Sequence, residues 1–314
     1  MRAFIIRRLL ASVFVLWVVT LVTFSAIFLL PGDVVGAILG PEQSPDQAEA
    51  LRKRLNLDAP FFEQYADWIG GVLQGDFGTN IRTGEAVGGQ LLDKLRVSGQ
   101  LGLMALLMAL VVAVPIGMAA GARPGTFFDY GLTLFAVIGV SIPNFFLALA
   151  LILLFAVELH WFPALGFAEI GDGFVDNLKS LTLPAFAVGI ASAGSLARQV
   201  RASMVEVLRQ DYVRTARAKG LRERTVIARH AFRNALIPVV TVLGLQMSII
   251  VGGTIIIETI FQLPGMGKFV ITSLLNQEVD VVQGVTLVIA TGVLLINLLV
   301  DISYAFLDPR IRYS

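Results

Sequence analysis

Few side chains in this sequence can do covalent or proton-transfer chemistry, and they stand apart. The chain has no cysteine, which removes thiol catalysis, disulfides and cysteine-based metal sites together. Its two histidines, His160 and His230, fall in segments that the charge pattern places on opposite sides of a membrane, so no histidine cluster is expected within one chain. Glu258 has no base, nucleophile or metal set accompanying it, and catalysis by it is not expected. Gly-x-Ser-x-Gly, His-Glu-x-x-His and paired aspartates are missing from the apolar runs, which disfavours an intramembrane protease or lipid transferase. The phosphate-binding Gly-x-x-x-x-Gly-Lys-Ser/Thr occurs nowhere. The chemistry that remains is docking and passage. It rests on a basic stretch from Arg198 to Pro238 and on polar residues set singly within apolar runs.

The elements that must position these residues are membrane helices. At 56% hydrophobic, 15% charged and mean hydropathy +0.79, the 314 residues do not describe a soluble protein. Runs free of Asp, Glu, Lys and Arg cover 9–32, 97–122, 130–157, 180–197, 234–257 and 281–300. A helix rises about 1.5 Å per residue and needs roughly 20 residues to cross hydrocarbon. Five runs meet that length, and the fourth falls short by about two residues unless Arg198 snorkels to the interface. An all-α membrane protein with six crossings is expected. The first crossing is read as a retained helix, since its long apolar run lacks an Ala-x-Ala site. Orientation follows from Lys and Arg. Between 198 and 235 lie ten of the 24 basic residues against three acids, Glu206, Asp211 and Glu223. That stretch, the Arg123 turn and both termini are expected in the cytoplasm. The division expected is 1–96, a first helix plus an external segment, and 97–314, a five-helix core with its cytoplasmic loop at 198–235.

The polar segments carry their own signals. Arg198 to Pro238 reads as two short helices outside the bilayer. Val213, Ala216, Ala218 and Leu221 can supply the docking face of the first, and Gly220 its left-handed stop. Residues 44–57 predict a helix with Pro45 in its first turn and Arg52-Lys53-Arg54 near its end. Phe61–Leu73 predicts another, with Phe62, Tyr65, Trp68 and Ile69 on the side that meets the membrane surface or a neighbouring helix. Residues 84–96 form an amphipathic lead into the second crossing, which is expected to end at Pro115-Ile116-Gly117. Ser141-Ile142-Pro143-Asn144-Phe145 interrupts the third. A mid-span proline frees a carbonyl that needs a partner, so Pro143 and Asn144 are expected to face protein or water. A packing kink and a pathway role both fit there. Gly189, Ala193 and Ala197, then Gly244, Ser248 and Gly252, are stripes for close helix approach. With Gln246, the fifth crossing is suited to line an aqueous route or a second subunit. Asp301, inside the last crossing near Asn297 and Tyr304, is expected to pair with Arg198 or Arg201.

Tyr212-Val213-Arg214-Thr215-Ala216-Arg217-Ala218-Lys219-Gly220-Leu221 closely resembles the cytoplasmic loop of ABC importer permeases of the dipeptide, oligopeptide and nickel type. The general importer pattern is Glu-Ala-Ala, three residues, then Gly, with Ile-x-Leu-Pro further on. Here Arg214 and Thr215 stand where Glu and Ala are expected, and the first following proline is Pro238. Gly75-Asp76-Phe77-Gly78-Thr79, Ser141-Ile142-Pro143-x-Phe145 and Leu307-Asp308-Pro309-Arg310-Ile311-Arg312 also resemble this family. So does Glu258-x-x-Phe261-x-x-Pro264-Gly265-x-Gly267. The resemblance implies the fold of a type I importer permease and a coupling helix, from Asp211 to Leu221, that docks on an ATPase. It further implies a second related permease, two ATPase subunits that carry ATP and Mg, an external solute-binding protein and alternating access. No cofactor, metal or nucleic acid is expected on this chain. Pro143, Asn144, Gln246, Ser248 and Glu258 are candidate pathway residues; Asp301, Pro264 and Gly265 are structural ones. The cargo class favoured is peptide, with nickel chelate, glutathione or sugar as alternatives. A membrane receptor signalling through its loop is the alternative of another class.

Overall fold

Apolar runs fold as helices here because backbone N–H and C=O groups in hydrocarbon find no water and must satisfy one another. The computed structural model describes residues 2–26, 59–80 and 83–307, with Val35, Pro45, Asp46, Glu49 and Arg52 besides. Ten helices are labelled in chain order. The first five are α1 (Arg2–Ser25), α2 (Phe61–Leu73), α3 (Val87–Ala122), α4 (Phe127–Ser141) and α5 (Asn144–Leu151, continued by π-helical Ile152–Glu158). The others are α6 (Phe174–Leu208), α7 (Asp211–Ala218), α8 (Phe232–Ile260), α9 (Met266–Leu275) and α10 (Val279–Leu307). Among the described residues there is no β-strand, only an isolated bridge between Thr79 and Ala86. Among them too, α1, α3, α6 and α10 are long and apolar enough to cross a membrane, and the bent pair α4–α5 makes a fifth candidate. The helix expected at 44–57 lies outside the described residues, apart from four helical positions.

The core is the pairing of α3 with α6, and small residues make it possible. A Cβ on Gly189 would sit 2.7 Å from the Ala105 carbonyl oxygen, and one on Gly117 would sit 2.6 Å from that of Ala197. The backbones therefore touch, as small-residue packing in membranes allows. Residue numbers rise together along this contact, so α3 and α6 are parallel. A parallel pair needs the chain carried back between its members, and α4 does that. Its Asp129 meets Arg201 while its Ala136 meets Gly194, so it runs antiparallel to α6. α10 is antiparallel to α8, with Gly244 against Val300 and Ser248 facing Asn297. It is also antiparallel to α1, through Arg8–Asp301 near one end and Gln283 donating to the Thr23 carbonyl near the other. The start of α1, the Arg123 turn, α7 and the Asp301 end of α10 thus share one end of the bundle.

Several expectations change. α3 does not stop at Pro115 but runs on to Ala122. Ala113, Gly117 and Ala120 are buried there, and that packing outweighs one lost helical hydrogen bond. The short fourth run lies inside a 35-residue helix, because Lys179, Arg198 and Arg201 belong to α6 rather than ending it. The third run is not one kinked helix but two, bent by 97° at Pro143. Pro143 caps α5, its carbonyl accepting from Phe146 and Leu147. The second short helix of the basic stretch is not separate either. Glu223–Thr225 and π-helical Val226–Ala231 lead without a break into α8. On α2 the side that packs is Phe61, Tyr65 and Trp68 around Phe24 of α1, while Phe62 is exposed.

Candidate functional site

Between α6 and α8 the chain makes a hairpin whose first arm is α7. Only Val213 and Ala216 of this helix are buried, against Val226 and Leu208. Ala218 and Leu221, expected on the same docking face, point outward instead. A helix of eight residues has room for one buried stripe, and positions i and i+3 fill it. Asp211, Tyr212, Arg214, Thr215, Arg217, Ala218, Lys219, Gly220 and Leu221 are exposed. Gly220 has φ +75° and ends the helix. The Gly220 N–H donates to the Arg217 carbonyl and the Leu221 N–H to that of Ala216, the paired bonds of a Schellman cap.

Polar side chains close the hairpin. Arg217 donates to Glu223 from Nε and Nη2, at 3.2 and 2.7 Å. That hydrogen bonding holds the Glu223 carboxyl below its usual range and raises Arg217. Asn234 Nδ2, in the first turn of α8, donates to the Tyr212 hydroxyl at 2.8 Å. Beside the hairpin, Arg201 of α6 donates from Nη2 to the nearly buried Asp129 at 2.6 Å, while Asp129 also takes the Gly125 N–H. Arg201 is therefore committed to Asp129, and Asp301 pairs with Arg8 of α1 at 3.1 Å rather than with Arg198 or Arg201. Pairing across the bundle was legible, but its partner depends on which helices are neighbours.

At the other end of the bundle Glu258 is fully buried in the last turn of α8. Its Oε1 accepts from the Ser98 hydroxyl of α3 at 2.6 Å, and its Oε2 accepts from the Lys268 N–H at 3.0 Å. Ser98 in turn accepts from the Met266 N–H at 2.8 Å. Gly265 lies against this cluster, where a Cβ would come within 2.5 Å of the Glu258 carboxyl carbon. Ser98 carries no motif of its own, and only its place 160 residues from Glu258 reveals its role.

The candidate pathway residues occupy different places. Pro143 and half-buried Asn144 sit at the α4–α5 break. Ser248 bonds Asn297 at 3.3 Å and Gly244 packs on Val300, so that stripe is used within the chain, against α10. Gln246 is buried. Glu258 stands ten residues beyond Ser248, about 15 Å along the helix. On α8 the apolar cavity is lined instead by Met247, Val251 and Ile255, a stripe of four-residue spacing, with Thr254 beside it. Among the described residues no group of three or more His, Cys, Asp or Glu could hold a metal ion.

Comparison with known proteins agrees with this architecture. The family described as "Binding-protein-dependent transport system inner membrane component" matches residues 113–313, and its N-terminal companion matches 1–89. The oligopeptide transport system permease protein AppB of Bacillus subtilis (strain 168) is 39% identical over 316 residues, covering all of both chains. The dipeptide transport system permease protein DppB of Alkalihalophilus pseudofirmus is 39% identical over 333 residues, with both chains again fully covered. The di/tripeptide transport system permease protein DppB of Pseudomonas aeruginosa (strain UCBPP-PA14) is 39% identical over 336 residues, also end to end. A multi-pass membrane chain alike over its whole length to these permeases is placed by descent as well as by fold: it belongs to the binding-protein-dependent transport system inner membrane components.

Proposed function

We propose that this chain is one permease subunit of an ATP-driven importer that carries peptides across the inner membrane. The observation that carries this reading is the end-to-end likeness to relatives named as oligopeptide, dipeptide and di/tripeptide permeases. A second, related permease completes the pathway, and a solute-binding protein delivers the cargo from outside. The sequence offers no phosphate loop, so two ATPase subunits bind ATP and Mg and supply the energy.

In this reading α8 is the fifth of six crossings, α4 and α5 together are the third, and both termini are cytoplasmic. The parallel α3–α6 pair supports that count, because it demands a return crossing between them. Alkaline phosphatase fused at Gln74 is then active and at Leu208 inactive; equal signals overturn the topology.

The exposed side of α7 is the coupling surface. Val213 and Ala216 bind the hairpin to its own chain, which leaves Tyr212, Arg214, Thr215, Arg217, Ala218 and Lys219 for an ATPase. The hairpin joins the end of α6 to the helix that becomes α8, so a force on it moves two rods. At about 1.5 Å per residue, α6 alone carries that motion some 50 Å.

The test is uptake by the reconstituted complex with its ATPase subunits and binding protein. Labelled di- and oligopeptides are offered beside nickel chelate, glutathione and sugar. ATP-dependent peptide uptake is expected. Uptake of another solute alone moves the cargo class, and no uptake of any solute favours the receptor reading.

A further inference from the structure

Two cavities meet at one thin wall near the Glu258 end of the bundle. One is polar, about 530 Å³, and is lined by Asp93, Lys94, Arg96, Gln100, Glu169 and Pro264. The other is apolar, about 220 Å³, and its lining includes Leu95, Ser98, Gly102, Met247, Thr254 and Met266. Neighbouring residues divide between them. On α3, Lys94 and Arg96 face the first while Leu95 and Ser98 face the second. On the segment after α8, Pro264 faces the first while Met266 and Gly267 face the second. The wall is therefore one turn of α3 plus Pro264–Gly267.

Polar bonds add to apolar packing in holding that segment to α3: Leu263 is buried in one cluster with Val97 and Leu101, and Met266 in another with Val87 and Leu91. Ser98 is the hinge of the set: its hydroxyl donates to Glu258 and accepts from Met266. Glu258 fixes the Lys268 N–H and leaves no room at Gly265 for a side chain. The segment also begins under strain, since Gln262 has φ +57°, a left-handed conformation uncommon outside glycine. Strained backbone of this kind clusters where segments switch. A fully buried carboxylate is a costly way to pin a loop, because it is stable only while every bond to it is made.

We propose that Pro264–Gly267 is the outer gate of the solute route, latched by Ser98 and Glu258, and that its displacement joins the two cavities. This rests on the importer reading and gives it a positioning pair: neither residue touches cargo, and both hold the gate. The polar cavity is the vestibule. The apolar one, which opens sideways past the exposed Leu95 and Leu103, is the first stretch of the route behind it, reached from the vestibule only when the latch is broken.

The natural chain has no cysteine, so Met247→Cys places a single reporter behind the gate. The full complex in right-side-out vesicles is treated with a membrane-impermeant methanethiosulfonate. Labelling is slow with the latch intact. Ser98→Ala in the same background removes both bonds of the hydroxyl and speeds it at least about tenfold, the shift expected from losing the bond to Glu258 alone. Ser98→Thr keeps the hydroxyl and returns the rate to within twofold of the parent. Leu92→Cys, on the exposed face of α3, labels equally in every background and reports equal reagent access, while retention of the ATPase subunits on purification is the control for intact assembly. If Ser98→Ala does not assemble by that control, Glu258→Gln replaces it with the same expected acceleration. A rate unchanged in an assembled variant that still imports peptide overturns the gate alone. A parent complex that imports no peptide overturns the importer reading instead.

Discussion

Replacing Gly220 tests the hairpin at the point where its geometry is most demanding. The residue has φ +75°, and among the described residues no atom lies within 4 Å of where a Cβ would stand. A substitution there meets no clash, so its cost is that of the backbone alone. An L-residue pays about 1–2 kcal/mol in this region, a β-branched one more, and Asn less than either. The hairpin closes locally, through the two cap bonds to Arg217 and Ala216 and the Arg217–Glu223 pair. A loss of 1–2 kcal/mol therefore lowers the ratio of closed to open hairpin by about 5–30-fold.

The expected series is Gly, Asn, Ala, Val, in order of falling protection of the Leu221 amide against hydrogen exchange. ATPase subunits retained on purification through the permease should fall in the same order, with membrane insertion unaffected. Two results refute different steps. A Val variant that protects Leu221 as well as the parent refutes the cap argument. A variant that loses protection yet retains its ATPase subunits and imports solute shows that α7 is not the coupling element.

Ala216→Trp acts inside the hairpin, where Ala216 is buried, and overpacking costs about 1–3 kcal/mol. Ala218→Trp acts on the outside, so protease protection of the loop should fall only in the first while ATPase retention falls in both. Glu223 has a folded pKa below its free value of 4.5, so its contribution is present above that value and is lost as pH falls through the folded one. Exchange protection of the hairpin should hold from neutral pH to about pH 5 and decline below the free value, an acid loss absent in Glu223→Gln; the pair is half-exposed, so the effect at neutral pH stays below about 1 kcal/mol. Asp301→Asn should loosen α1 from α10 and lower thermal stability in detergent modestly, as should Arg8→Gln, with the double variant costing less than the two losses added. Arg201→Gln, by contrast, should leave the α1–α10 contact alone, and equal effects of Arg201 and Arg8 on that contact would revive the pairing that the sequence suggested.

The helices were legible because hydrocarbon tolerates few charges, and charge-free runs mark where hydrocarbon is. They mark it better than they mark helix ends. Lys179 and Arg198 bounded the fourth run, yet α6 passes through both, since a helix leaves the bilayer without unwinding. Gly220 was legible for the opposite reason: a left-handed turn has one preferred residue. The α3 stripe Leu101, Ala105, Ala109, Ala113, Gly117 stands in the sequence at a strict spacing of four. It matched the stripe on α6 that it packs against. Long-range polar partners were not legible. Nothing local distinguishes Arg8 from Arg198 as the partner of Asp301, or singles out Ser98 among serines.

In the proposed reading those partners also link the ends of the bundle. Between the ends, α3 and α6 touch through glycine and alanine, a contact that transmits displacement without absorbing it. The polar attachments lie at the extremes: Asp129–Arg201 and Arg8–Asp301 beside the hairpin, Ser98–Glu258 beside the vestibule. One element reaches both. The helix that starts at Glu223, under the docking arm, continues through α8 to Glu258 and Ile260 without interruption. A force on α7 enters this rod through Val226 and Asn234, and the rod's far end carries the carboxylate that holds the gate. In the proposed importer the length of α8 thus couples ATPase contact to the latch, and the π-helical Val226–Ala231, already wound more loosely than its continuation, is where the rod turns.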